Sequence, residues 1–251
     1  MKAKVYGIPG SHPVRAGLAM LDHKGIEWKL VDVPNVLCRP YLRARGFPGP
    51  TVPAIRFDDG RRLQTTRAIS RELDRMVPEP PLFPGDPDRR AAVTAAEQWG
   101  DEIYQPMPRR MSYWALGEDR SSLVTFLERP LLGMPPKAAA ATAGPLIALG
   151  ARINKADTDR VRADLAALPA MFDRVDALIG DGTIGGDEPN AADFQIGATT
   201  RLLMNFDDVR PAIEGRPAAD HATRHFPAYA GRVSPVFPAD WLAPLQRSTA
   251  T

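Results

Sequence analysis

Apolar and polar positions first fall into a strand pattern at Lys4-Val5-Tyr6. The turn residues Gly7-Ile8-Pro9-Gly10 follow. Ser11 or His12 then caps a helix with Pro13 in its first turn, where a missing N–H costs nothing. Val14, Leu18 and Leu21 share one face of that helix, and Gly25 is a suitable stop. Trp28 to Val33 alternates as a second strand, with Trp28, Leu30 and Asp32 on one side. Residues 34–50 are rich in turn formers, with room for one short helix around Pro40 to Arg45. An apolar strand opened by Pro53 comes next, then the turn Asp58-Asp59-Gly60, a short strand near Leu63, and a helix from Thr66 to Met76. A βαβ crossover followed by a hairpin and a helix is a thioredoxin-like arrangement.

The pattern changes after Val77-Pro78-Glu79-Pro80-Pro81, where closely spaced prolines run on to Pro87 and stiffen the connection. Helical spacing dominates from there. One helix runs from Asp88 to Gln105 and ends or kinks at Pro106 and Pro108. An alanine-rich helix is expected over 136–154. Another covers 157–179, with Val161, Leu165, Leu168, Phe172, Val175 and Ile179 near 3.6 spacing, and a further one covers 190–204. The expected architecture is therefore α/β plus all-α. A thioredoxin-like domain over 1–77 is followed by a proline-rich linker over 78–87 and an all-helical domain over 88–251.

Two positions in the first domain bear on chemistry. Proline cannot donate to a sheet ladder, so Pro53 marks a strand entry; a cis peptide there turns the backbone of Val52 outward, where it can hold an extended peptide. The helix start at Thr65-Thr66 presents free N–H groups and a positive dipole end, which suits a carboxylate.

At these residues the chain resembles the glutathione S-transferase superfamily. That family's Val-Pro before a strand matches Val52-Pro53, and its Glu/Gln-Ser-x-Ala-Ile helix start matches Thr65-Thr66-Arg67-Ala68-Ile69. Ser11-His12-Pro13-Val14-Arg15 resembles the Ser-x-Pro-x-Arg motif of the serine-type, theta-like transferases. The resemblance implies a catalytic Ser11 that stabilises a thiolate, and a thiol site at Val52, Pro53, Thr65 and Thr66. The co-substrate is glutathione or another low-molecular-weight thiol, conjugated to an electrophile, in a homodimer with a role in detoxification. Taken alone, Ser11 is an ordinary N-cap, and His12 beside it is a solvent-facing loop residue. Thr65 replaces the family's acid or amide, and Phe47, Pro50 and Thr51 replace its Asn, Gly and Lys. Those departures also admit a non-catalytic binding or scaffolding module, or a dehalogenase or isomerase of the same fold.

In the helical half, Asn190-Ala191-Ala192-Asp193 reads as a capping box and resembles the family's Ser/Thr-x-Ala-Asp motif; its role is structural. Tyr104, Met107, Arg110, Met111 and Trp114 cluster around Pro106 and Pro108. Core packing of a kinked helix is the simpler account of them. The other is an apolar electrophile pocket, with Arg109 or Arg110 meeting an anionic group.

Composition narrows the rest. The formal net charge is +2 and no basic stripe carries interleaved aromatics, which argues against nucleic-acid binding. No apolar run reaches the roughly 18–20 residues that span a bilayer. Cys38 is the single cysteine, so no internal disulfide forms, and no Cys-x-x-Cys pair exists. The opening residues lack the apolar core of a signal peptide, which points to the cytoplasm. No metal-ligand cluster, phosphate loop or dinucleotide fingerprint stands out, so neither a metal nor a nucleotide cofactor is expected.

Overall fold

A computed structural model describes residues 1–34, 37–127 and 134–248. The chain forms two compact units. The first comprises Met1–Glu102 and Leu178–Thr199, and the second Ile103–Ala177 and Thr200–Thr251.

The first unit opens with β1 (Lys2–Gly7), α1 (His12–His23), β2 (Glu27–Asp32), α2 (Cys38–Arg43), β3 (Ala54–Phe57), β4 (Arg62–Gln64) and α3 (Thr66–Met76). The four strands make one sheet in the order β2-β1-β3-β4. β1 pairs parallel to β2 and antiparallel to β3, with Val5 opposite Leu30 and Ile55. β4 returns antiparallel to β3 with Ile55 opposite Leu63. The Asp58-Asp59-Gly60 turn works because Gly60 adopts a φ of 89°. β1 is central, so neighbouring Val5 and Tyr6 are both buried. One face packs α1 on α3. On the other, Tyr6, Val33, Leu42, Phe47 and Ala54 cluster, with Tyr41 and Val52 against them. This is the expected thioredoxin-like arrangement.

α4 (Pro87–Trp99) follows the proline run; Asp86 caps it through a 2.9 Å bond from the Arg89 N–H. The helix then loosens into one π-helical segment, Gly100–Tyr104. The expected single helix over 88–105 therefore changes character before Pro106, a proline that cannot donate back into the preceding turn. A Cβ on Gly100 would lie 3.0 Å from the Ile196 side chain, so glycine eases the close approach of α9 (Ala191–Leu203).

The second unit is helical. It holds α5 (Pro106–Glu118), a 3-10 turn at Arg120–Phe126, α6 (Pro136–Thr142), α7 (Gly144–Asn154), most of α8 (Thr158–Gly180), α10 (Pro217–His225) and α11 (Ala239–Ser248). The single helix expected over 136–154 is broken. Pro145 cannot donate, and its ring excludes the carbonyl of Ala141, which instead accepts from Arg120 Nη1 at 3.5 Å. α5 packs on α7, and the Tyr113 ring lies where Gly150 lacks a side chain. Val161, Leu165, Leu168, Phe172 and Val175 of α8 are fully buried, as their spacing predicts. Among the described residues no helix is long and apolar enough to cross a membrane.

Candidate functional site

The turn after β1 is built by backbone economy. A Cβ on Gly7 would meet Val14 at 2.7 Å, so glycine lets α1 start close beneath the strand. The Ser11 N–H donates to Ile8 O at 2.9 Å, and Arg15 Nε donates to Pro9 O at 2.9 Å, holding the turn from the helix side. Ser11 is the N-cap residue of α1, with φ −80° and ψ 119°. Its side chain makes no capping hydrogen bond. The hydroxyl therefore stands at the positive end of a helix without the usual task of a serine there. His12 differs from expectation: it is the first residue of α1 and buried, at 3% exposure, because the first turn tucks under the sheet.

Val52-Pro53 is a cis peptide. Pro53 is buried, and the missing side chain of Gly17 leaves its ring in van der Waals reach of α1. Val52 lies outside the β3–β4 ladder, which begins at Ala54 opposite Gln64. The Thr65 N–H donates to Pro53 O at 3.3 Å, so the strand entry and the start of α3 are joined directly.

Thr65 is an unusual residue. Its φ of 75° and ψ of 142° place a β-branched side chain in backbone territory that favours glycine, at a cost of order 1–3 kcal/mol. Its Oγ1 caps α3 through a long 3.4 Å bond from the Ala68 N–H. Thr66 is 2% exposed, and its hydroxyl reaches Asp101 Oδ1 at 3.5 Å. Beside it, Arg67 Nη1 pairs with Glu102 Oε1 at 2.7 Å. The Thr66 hydroxyl thus faces a carboxylate of its own chain, and what the helix start offers a ligand is its backbone. Behind this rim, burial pushes the Glu97 carboxyl upward, against the opposing pull of the Ser70 hydroxyl at 2.6 Å and Arg71 at 2.5 Å.

The residues considered for an electrophile pocket divide differently. Tyr104 and Met111 are fully buried in the second unit and Met107 nearly so. The Tyr104 hydroxyl contacts Thr200 Oγ1 at 3.1 Å, and burial pushes its pKa up. Arg110 makes a two-pronged pair with Asp164, both contacts 2.6 Å, so its charge is already matched. Trp114 stacks on Phe237 at 5.4 Å. With Tyr113 and Ile147 it also borders a cavity of about 380 Å³. Four of these five therefore serve the packing of the kinked helix.

Asn190 and Asp193 form a reciprocal cap. Asn190 Oδ1 accepts from the Ala192 and Asp193 N–H groups at 2.9 and 3.3 Å, and Asp193 Oδ2 accepts from the Asn190 N–H at 2.8 Å. Asp193 Oδ1 also accepts from the Gly185 N–H at 2.6 Å, which ties the preceding loop to the helix.

Sequence reasoning missed two residues here, Asp101 opposite Thr66 and Gln64 at the end of β4. Both act through contacts distant in sequence, which leave no periodic signal.

Known proteins place this geometry. Residues 5–81 match the family model described as glutathione S-transferase, N-terminal domain. No curated protein matches the chain. Among solved structures, a glutathione S-transferase from Rhodospirillum rubrum F11 aligns with a TM-score of 0.57 at 19% identity, over 96% of this chain and 99% of its own. A glutathione S-transferase from Methylobacterium radiotolerans, solved with glutathione sulfonate, aligns at 0.55 and 19% identity over 95% and 99%. The β-etherase LigF from Sphingobium sp. strain SYK-6 aligns at 0.59 and 16% identity over 100% and 99%. Residues 5–81 thus match the N-terminal domain of the glutathione S-transferases, and the chain as a whole shares the fold of these structures.

Proposed function

We propose that this protein is a glutathione S-transferase-like enzyme that joins a small thiol, glutathione or a related γ-glutamyl thiol, to an electrophile. The observation that carries the reading is Ser11: an N-cap hydroxyl left unused by its own helix. The thiol lies extended along the backbone of Val52 beside Pro53, with a carboxylate at the backbone N–H groups where α3 starts, at Thr65 and Thr66. The Ser11 hydroxyl donates to the sulfur. A charge-assisted hydrogen bond contributes about 1.5–3 kcal/mol, and the helix end adds about 0.3–1. Together these lower the thiol pKa by about two units, enough to populate the nucleophilic thiolate near neutral pH. The glutathione sulfonate bound to the Methylobacterium structure supports this ligand class. A homodimer accompanies the reading as a family expectation, checked by light scattering.

A second reading has its own support. Thr65 offers neither carboxylate nor amide to a ligand amino group, and the Thr66 hydroxyl is turned to Asp101. Both features suit a binding module that retains the fold without turnover.

Calorimetric titration with several thiols and a Ser11→Ala comparison separate the two. For the enzyme, Ser11→Ala keeps thiol affinity within a few-fold, raises the pKa of the bound thiol seen by thiolate absorbance, and cuts turnover about 100-fold. Equal turnover in the variant moves the chemistry to another residue. Thiol binding with no turnover in either protein leaves the binding module.

A further inference from the structure

The segment leading into Val52 is Phe47-Pro48-Gly49-Pro50-Thr51, a loop whose two prolines supply no N–H. The Phe47 N–H donates to Leu42 O at 3.1 Å, and from Gly49 on the backbone is held by one side chain. The Gly49 N–H donates to Gln64 Oε1 at 2.8 Å. Gln64 Nε2 donates to Gly49 O at 2.8 Å and to Thr51 O at 2.7 Å. The amide of Gln64 thus imitates a further strand, offering one acceptor and two donors to a loop that cannot form a ladder of its own. Gly49 is the residue this fit needs, since a Cβ there would sit 2.8 Å from Gln64 Oε1 and 3.0 Å from Cδ. The next residue along β4–α3 closes the same connection through Thr65 N–H and Pro53 O. Val52 is therefore bracketed, with Gln64 fixing the chain just before it and Thr65 just after.

We infer that Gln64 is a positioning residue for thiol binding: by clamping Gly49 and Thr51 it sets the path of the Val52 backbone along which the thiol lies. This rests on the proposed thiol site, but the clamp is measurable without any ligand. Because Gln64 occupies both carbonyls and the Gly49 N–H, the loop meets the thiol already ordered, and binding does not bear that ordering cost. Replacing Gln64 loosens thiol binding and leaves the second substrate alone.

The test compares wild type with Gln64→Leu, which keeps bulk and loses all three bonds. Gln64→Glu, which sets a carboxylate against two carbonyls, and Gly49→Ala, which attacks the clamp from the loop side, keep the test alive if Gln64→Leu folds poorly. Amide exchange is followed without ligand, and KM for glutathione, KM for a generic aryl halide and kcat are measured separately. We expect faster exchange at Gly49 with Val5 and Ile55 unchanged, a thiol KM raised about tenfold, and an electrophile KM and kcat at saturating thiol within twofold. Unchanged Gly49 exchange overturns the clamp. Faster exchange with thiol KM within twofold overturns the positioning role and leaves Gln64 a loop staple. If wild type itself binds no thiol, the thiol-site reading falls and the positioning role with it. That outcome shows in the parent protein, apart from any effect of the variants.

Discussion

Lys24 gives the sharpest test of how the first unit is held together. Its side chain has no exposed surface, and its ammonium has three donors. All three find acceptors: Asp74 Oδ1 at 3.0 Å, Val77 O at 2.7 Å and Pro80 O at 2.5 Å. The end of α1 is thereby fastened to the last turn of α3 and to the proline run. Lys24→Met keeps the buried stem and removes the charge. Deleting one partner of a buried pair costs about 3–5 kcal/mol. Here Asp74 retains the Leu82 N–H at 2.6 Å, Arg90 Nη2 at 3.8 Å and 13% side-chain exposure, so the carboxylate is not wholly stranded. The two carbonyls lose their donor. The lower end applies, about 3 kcal/mol. Asp74→Asn added to Lys24→Met removes a charge left with only the long Arg90 contact while an oxygen still accepts from Leu82, so the double variant recovers about 1 kcal/mol. Urea unfolding followed by tryptophan fluorescence reads both, with a second probe to resolve separate transitions of the two units. A Lys24→Met cost below about 0.5 kcal/mol refutes the reasoning, because a desolvated ammonium with three acceptors would then be dispensable.

Other consequences are more direct. Asp193→Ala strips acceptors from the Gly185 and Asn190 N–H groups, so it destabilises by about 2–4 kcal/mol, beyond an ordinary cap; a loss under about 1 kcal/mol in denaturant titration contradicts this. Glu97 has its pKa raised by burial, so the folded state binds its proton more readily than the unfolded chain. Its contribution is fully present below the unfolded carboxyl range near 4.5 and is lost as pH rises through the folded value. The stability difference between wild type and Glu97→Gln must therefore shift in favour of Gln over that window, and a flat difference from pH 4 to 8 rejects it. Cys38 is pushed up to about 11 by burial, leaving a thiolate fraction of about 10⁻³ at pH 8. Native protein should resist iodoacetamide that labels the urea-unfolded chain quickly, and equal rates in both states would count against a raised thiol pKa at this half-buried position.

Much of this fold is legible in the sequence, and the failures are physical. α1 and α3 are readable because Pro13, Gly25 and Thr65-Thr66 punctuate clean apolar stripes. α8 is readable for its spacing alone, even with Pro169 inside it. The break between α6 and α7 is hidden because alanine-rich sequence favours helix on both sides of Gly144-Pro145. α10 and α11 carry short, polar-mixed patterns that propensity does not separate from loop. The candidate site is half legible. Ser11 and Pro53 sit where local rules put them. The partner of Thr66 does not, since Asp101 stands 35 residues away in a π-helical segment that no periodicity announces. The aromatic and methionine cluster near Pro106 leaves a pocket open beside the simpler reading as core, and the full burial of Tyr104 and Met111 favours the core.

Several of the side-chain contacts that are hardest to read share one cause. The chain has 26 prolines, and each contributes a carbonyl without a matching N–H. Ladders and helices cannot absorb that excess, so side chains with several donors must. Arg15 reaches Pro9 O, Lys24 reaches Val77 O and Pro80 O, Gln64 reaches Gly49 O and Thr51 O, and Arg62 reaches Arg45 O at 3.1 Å. Each spans an irregular, proline-bearing or glycine-bearing stretch from a neighbouring regular element. Two of those stretches border the proposed thiol site, the turn before Ser11 and the loop before Val52. The order of that site is thus set by donors on the scaffold rather than by the loops themselves. It follows that substituting the scaffold donor should disturb the site more than substituting most residues of the loops it holds, Gly49 excepted, because its missing side chain is part of the fit.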